Sequence, residues 1–280
     1  MYPAWRNSSV AIEALQVRAG FSIADFQVLF ETESNIYPRV KSRMNRPIRI
    51  AILDAVPESY WGDDRGITDS MKFRILLQPE NPAARIDDFY VSKNQFPDRL
   101  DDHDAFLVTG SPCSVHDDHD WIRRLEELVR EAASRGRRVA GSCFGHQLLA
   151  KAFGGEVGRN EHGWLVGNFE VRITGRRPWM RPVAETTGMY HFNQERVTRL
   201  PPAAVAFAQT DDYADFGFTI GGEVMSFQGH PEQSRLSMQN FLDTTPTLSA
   251  EQYECAAVNI AAAEPDSKIW SAWMMRFFLS

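Results

Sequence analysis

At 280 residues, with 43% hydrophobic residues and a formal net charge of −7, the chain can bury a substantial core and offers no basic surface for a nucleic acid. It contains no apolar run of about 18 residues, the length a membrane span needs, and three cysteines are too few for a disulfide framework. Met1 to Gly20 is polar and charged throughout and lacks the apolar centre of a signal peptide, so a cytoplasmic location in a reducing compartment is expected.

The first 46 residues read as an extension, with a short helix around Val10 to Val17 and a charged connector from Arg39 to Arg46 that ends at Pro47. Apolar runs suited to buried parallel strands then alternate with helical patterns. Ile48 to Val56 is the first strand, Ile67 to Leu77 a helix, Phe89 to Val91 a short strand and Ala105 to Thr109 another. A helix from Asp120 to Arg135 carries Trp121, Leu125, Leu128 and Val129 on one face. A further strand ends near Ala140, and Phe144, Leu148, Leu149, Ala152 and Phe153 recur at helical spacing until Gly154-Gly155 stops the pattern. From Trp164 to Phe227 shorter strands follow, including Phe169 to Ile173, Val205 to Ala208, Phe218 to Ile220 and Val224 to Phe227. The chain closes with helices over Ala250 to Ala263 and Lys268 to Phe278, the last rich in Trp and Phe and suited to a core or a homodimer interface. The order predicts an α/β fold, a doubly wound, mostly parallel sheet flanked by helices with functional loops at the carboxyl ends of its strands. The division expected is 1–46 extension, 47–245 catalytic-type domain and 246–280 helical extension.

Gly141-Ser142-Cys143-Phe144-Gly145-His146-Gln147 falls where a strand should turn into a helix. A cysteine there meets the free N–H groups and the dipole of a helix N-terminus, which favour the thiolate, the species that attacks carbonyls. Gly141 and Gly145 allow a tight turn and leave room beside the sulfur. Phe227-Gln228-Gly229-His230-Pro231-Glu232 lies just beyond a strand. His230 there can act as base toward the thiol and as acid toward a leaving amine, with Glu232 to fix its tautomer. Cys113 and Cys255 are expected to be buried thiols that do no chemistry.

These two motifs together resemble the signatures of the class I, or triad-type, glutamine amidotransferases, whose fold is flavodoxin-like. The resemblance covers about Ile48 to Leu242 and implies Cys143 as nucleophile, His230 as base and acid, and Glu232 as the residue orienting it. Phe106-Leu107-Val108-Thr109-Gly110-Ser111-Pro112-Cys113-Ser114-Val115 is similar to the strand and turn that supply half of that family's oxyanion hole, which implies Gly110 and the N–H groups of Ser111 and Phe144. Ser111 stands where the family shows a second glycine. The amide persists, but the allowed backbone angles narrow.

The resemblance also places Gln147 near a bound glutamyl group, and His191-Phe192-Asn193-Gln194-Glu195-Arg196-Val197 where the family shows a Ser-His-x-Asp-x-Val lining. Phe192, Asn193, Gln194 and Glu195 are therefore expected at the substrate, with Asn193 and Glu195 replacing the usual His and Asp. Glu161-His162-Gly163-Trp164 can close the same pocket. His146 is expected to play no catalytic part. The run His116-Asp117-Asp118-His119-Asp120 reads as a loop capping the Asp120 helix rather than a metal site. The implied activity is cysteine-dependent hydrolysis of a γ-glutamyl amide, on a small-molecule substrate and without cofactor or metal. A glutaminase subunit feeding ammonia to a separate synthase partner is the alternative, since no nucleotide-binding loop is present.

Overall fold

The computed structural model describes residues 46–60, 67–161 and 163–280. The helix expected near Val10 to Val17, nearly all of the Arg39 to Arg46 connector and His162 lie outside them. One compact unit runs from Ile48 to Ser280.

Its centre is a nine-stranded sheet. β1 (Arg49–Asp54), β2 (Arg85–Tyr90), β3 (Ala105–Val108), β4 (Arg138–Ser142) and β11 (Val224–Phe227) form the parallel half in the order β2-β1-β3-β4-β11. Beyond β11 the pairing turns antiparallel, through β10 (Gly217–Ile220), β9 (Ala204–Gln209), β6 (Leu165–Ile173) and β7 (Thr186–Asn193). β5 (Glu156–Arg159) and β8 (Glu195–Arg199) make a separate two-stranded sheet. The helices are α1 (Asp69–Leu77), α2 (Asp120–Ser134), α3 (Phe144–Ala152), α4 (Arg235–Thr244), α5 (Ala250–Ala262) and α6 (Ser267–Leu279).

The alternation of side chains along each strand sorts the core into two layers. Ile50 and Ile52 of β1 and Ala105 and Leu107 of β3 face one side, packing with Phe73 and Leu77 of α1 and with Trp270, Trp273 and Phe277 of α6. Ala51, Leu53, Phe106 and Val108 face the other, against Leu125 and Val129 of α2 and Leu148 and Leu149 of α3. The last helix therefore belongs to the main core. Its Trp270 donates its indole N–H to Thr187 Oγ1 at 3.0 Å and lies 4.9 Å, centroid to centroid, from Phe227 of the central sheet. A smaller core joins Tyr190 of β7 to Met238 and Leu242 of α4 and Ala256 and Ile260 of α5. Among the described residues no helix is long and apolar enough to cross a membrane.

Observed boundaries follow from caps and turns. α1 starts two residues later than the apolar pattern predicts because Thr68 caps it, its hydroxyl accepting from the Met71 amide at 3.3 Å. β2 begins at Arg85 and pairs with β1 along its whole length, where the sequence pattern picks out only Phe89 to Val91. The polar residues Asp87 and Asp88 hide this strand from a hydrophobicity reading; it lies at the sheet edge, where such residues are tolerated.

Candidate functional site

The carboxyl end of β4 and the start of α3 create the sharp turn that holds Cys143. Its backbone is at φ 51°, ψ −106°, and it is one of two non-glycine residues with positive φ among those described, a conformation that costs of order 1–3 kcal/mol. The neighbouring glycines make that turn fit. A Cβ on Gly141 would sit 2.5 Å from the Gly145 carbonyl oxygen, and one on Gly145 would sit 2.4 Å from that of Val108. The space at Gly145 thus serves the close approach of α3 to β3, not the room beside the sulfur that the sequence suggests.

β11, adjacent to β4, delivers the histidine. The His230 amide donates to the Tyr190 carbonyl at 2.8 Å, and its ring meets Glu232, with Nδ1 2.8 Å from Oε1. Both side chains are almost wholly enclosed. Burial is the largest single influence on the imidazole and disfavours its charged form, but the charges of Cys143 and Glu232 and hydrogen bonding to them together outweigh it and hold the pKa of His230 well above the ordinary value. With Nδ1 taken by Glu232, Nε2 is buried without an oxygen or nitrogen hydrogen-bond partner among the described residues, in a ring that shares the Gly110 contact with Cys143.

The turn after β3 closes the third side. Gly110 lies against both reacting groups: a Cβ there would come within 2.9 Å of His230 Cε1 and 3.7 Å of Cys143 Cβ. Ser111 is accommodated without positive φ, and its hydroxyl ties the turn to the end of β1 by donating to the Ala55 carbonyl at 2.7 Å and accepting from the Cys113 amide at 3.2 Å. The Phe144 amide is the first of α3 and has no acceptor within the helix. Among the described residues neither it nor the Ser111 amide donates to another backbone group.

The expected substrate residues separate into two groups. Gln147 Nε2 donates to the Glu195 carbonyl at 2.7 Å and to Gln228 Oε1 at 3.2 Å, and Asn193 Nδ2 donates to the same Glu195 carbonyl at 3.1 Å. The Glu195 carboxylate accepts from Ser114 Oγ, so it links β8 to the loop after the Gly110 turn. Phe192 points to the other face of β7, against Trp164 and Phe241 with ring centroids 4.8 and 5.1 Å away, and Trp164 goes with it. Gln194 contributes its carbonyl to the Asn160 amide at 2.7 Å. His146 is buried, bonded to Ser226 Oγ, and burial pushes its pKa down to about 3, so it is neutral.

Three residues in and beside this polar cluster escape the sequence reading. The Tyr213 hydroxyl accepts from Asn193 Nδ2 at 2.9 Å and Asn160 Nδ2 at 3.3 Å; burial above all pushes its pKa up to about 12, and the Cys143 charge adds to the rise. Among the described residues Gln228 Nε2 and Asn193 Oδ1 are buried without a partner. His191 has both ring nitrogens buried without a partner among the described residues and, chiefly through burial, a pKa pushed down to about 3. Gln228 stands inside the histidine motif and could have been read from it. Tyr213, in the β9–β10 connection, belongs to no motif.

The acidic loop departs from expectation. His119 takes the N-cap position of α2 without a side-chain capping bond, and Asp118 and Asp120 pair instead with Arg123. Cys113 is half-buried and Cys255 exposed, not buried as the sequence suggests. Cys113, Asp117 and His119 bring three ligand-type atoms within 4.8 Å of one another, partly at the surface; exposed groups of this kind do not by themselves make a metal centre. Two open clefts, of about 410 Å³ beside Phe96 and Arg135 and about 400 Å³ beside Arg172 and Gln209, include neither Cys143 nor His230.

Residues 81–242 match the family model described as glutamine amidotransferase class-I. Gamma-glutamyl peptidase 3 of Arabidopsis thaliana is 29% identical over 200 residues, covering 68% of this chain and 80% of that protein. The glutamine-hydrolysing GMP synthase of Aeropyrum pernix is 31% identical over 126 residues, 45% of this chain and 23% of that protein. Among solved structures, a glutamine amidotransferase from Thermotoga maritima superposes with a TM-score of 0.65 at 17% identity, covering 84% of this chain and all of that one.

Proposed function

The chain belongs to the class I glutamine amidotransferase family, and from that premise we propose that it is a freestanding hydrolase of γ-glutamyl amides. The observation that carries this reading is the convergence of Cys143, His230 and Glu232 beside Gly110, with the amides of Ser111 and Phe144 at hand. The likeness to a gamma-glutamyl peptidase over most of that protein's length favours the freestanding form.

In this mechanism the Cys143 sulfur attacks the γ-carbonyl carbon, a C–S bond forms, and the carbonyl π electrons move to oxygen. The Ser111 and Phe144 N–H groups are placed to receive that charge, and each such donor is worth about 3 kcal/mol of barrier. As the tetrahedral species collapses, the C–N bond breaks and His230 gives its proton to the departing amine. Water then attacks the thioester, His230 takes a proton from it, and the C–S bond breaks to release glutamate. Glu232 holds the ring so that Nε2 faces sulfur, amine and water in turn. Gln147, Asn193 and Glu195 stand near the glutamyl end, in a polar cluster with Gln228 and Tyr213.

The match to a GMP synthase supports a second reading, in which the chain supplies ammonia to a separate synthase. Purified protein that releases glutamate unaided supports the first reading; protein silent until a second chain is added supports the second.

A further inference from the structure

We propose that Gln233 is a positioning residue, one that holds the Glu232 carboxylate for His230 by tying it to the Asp69–Lys72 ion pair of α1. The proposal rests on the reading of Cys143, His230 and Glu232 as a working triad.

Glu232 has few constraints of its own. Its Oε1 accepts from His230 Nδ1, while Oε2 is buried without a partner among the described residues. A carboxylate held by one bond is free to turn about its last torsion, which is soft. Gln233, itself buried, supplies the second restraint: its Nε2 donates to Glu232 Oε1 at 3.3 Å and to Asp69 Oδ1 at 3.2 Å. Its own Oε1 accepts from Lys72 Nζ at 3.1 Å. An ammonium only donates and a carboxylate only accepts, so this surrounding admits one orientation of the amide.

The anchor at the far end is firm. Asp69 and Lys72 are one turn apart on α1 and pair at 2.9 Å with both side chains mostly buried. α1 is in turn pinned at its N-terminus by the Thr68 cap and by Asp54, whose Oδ2 accepts from the Ser70 amide at 2.8 Å. The titratable and charged groups along this line are His230, Glu232, Asp69 and Lys72, with Asp54 behind them. Gln233 is the neutral link that keeps two carboxylates apart while bonding to both.

The test is Gln233→Met, which keeps the length and removes the amide. Cys143 is alkylated with iodoacetamide across a pH series and its peptide quantified by mass spectrometry, with Cys255 as an internal control. This readout needs no substrate. The expected result is a Cys143 midpoint moved upward by about one pH unit, a tenfold change in thiolate fraction, at an unchanged melting temperature. On a γ-glutamyl amide, kcat falls with KM unchanged. Should Gln233→Met not fold, Lys72→Met releases the same amide and is expected to move the midpoint in the same direction by less. A midpoint and kcat equal to those of the unaltered protein overturn the proposal, as does a lower melting temperature with no change in midpoint. If unaltered Cys143 reacts no faster than Cys255, the triad reading fails and this one fails with it.

Discussion

Gly110 and His230 are in contact so close that a methyl group on the glycine would stand 2.9 Å from Cε1 of the imidazole. The neighbour that must yield is the ring placed between Cys143 and Glu232. Gly110→Ala is therefore expected to displace His230 by several tenths of an ångström and lower kcat/KM by about 100-fold, the scale of loss for a misplaced catalytic group. Circular dichroism should show the fold retained. Activity within threefold of the unaltered protein would mean that the imidazole has room to spare.

Glu232→Gln keeps the size of the side chain and removes the charge that favours imidazolium. Its expected effect is a fall in kcat of two to four powers of ten with KM little changed, measured as glutamate release. An unchanged rate would remove Glu232 from the mechanism.

The site was readable where chemistry confines residues to a short stretch of chain. The cysteine turn and the His-Pro-Glu loop lie on neighbouring parallel strands, β4 and β11, and the fold brings them together by pairing those strands. What the sequence concealed comes from faces and long connections. Phe192 and Asn193 are adjacent in sequence, yet alternation along β7 sends them to opposite sides. Tyr213 joins the polar cluster at Asn193 from a connection with no motif, and the Gln233 link to α1 spans 164 residues. β6, β9, β10 and β11 are legible as strands, but β7 and β8 are not picked out by the pattern, and the antiparallel order cannot be read from local periodicity. Likewise only the end of β2, near Phe89, is legible in the sequence; its polar first half is a strand because it pairs with β1.

Stability should depend on acid through three enclosed groups. His146 and His191 have pKa values pushed down to about 3 by burial, so below about pH 6.5 the unfolded chain binds their protons and the folded chain does not; each makes stability fall as pH falls. Asp54, raised to about 6 by burial first and by Asp69 next, acts in the opposite sense between its ordinary range and pH 6. Two protons against one leave about one net proton over pH 4 to 6, or about 1.4 kcal/mol per pH unit from these groups. His191→Phe removes one of the two, so its urea-measured stability should fall less steeply by that amount. Parallel curves for the variant and the unaltered protein would show that His191 takes up its proton when folded.

Trp270 is fully enclosed and holds α6 against the central sheet. Trp270→Ala should cost about 3–5 kcal/mol in urea denaturation, through lost burial and the cavity left behind. A cost under 1 kcal/mol would mean that α6 contributes little to the core.

The most direct measurement incubates purified protein, alone, with a panel of γ-glutamyl amides and follows both free glutamate and the mass of the Cys143 peptide. The expected result is glutamate release that Cys143→Ala abolishes, together with a transient glutamyl adduct on that peptide. No glutamate and no adduct from any member of the panel, or release that persists in Cys143→Ala, would contradict it.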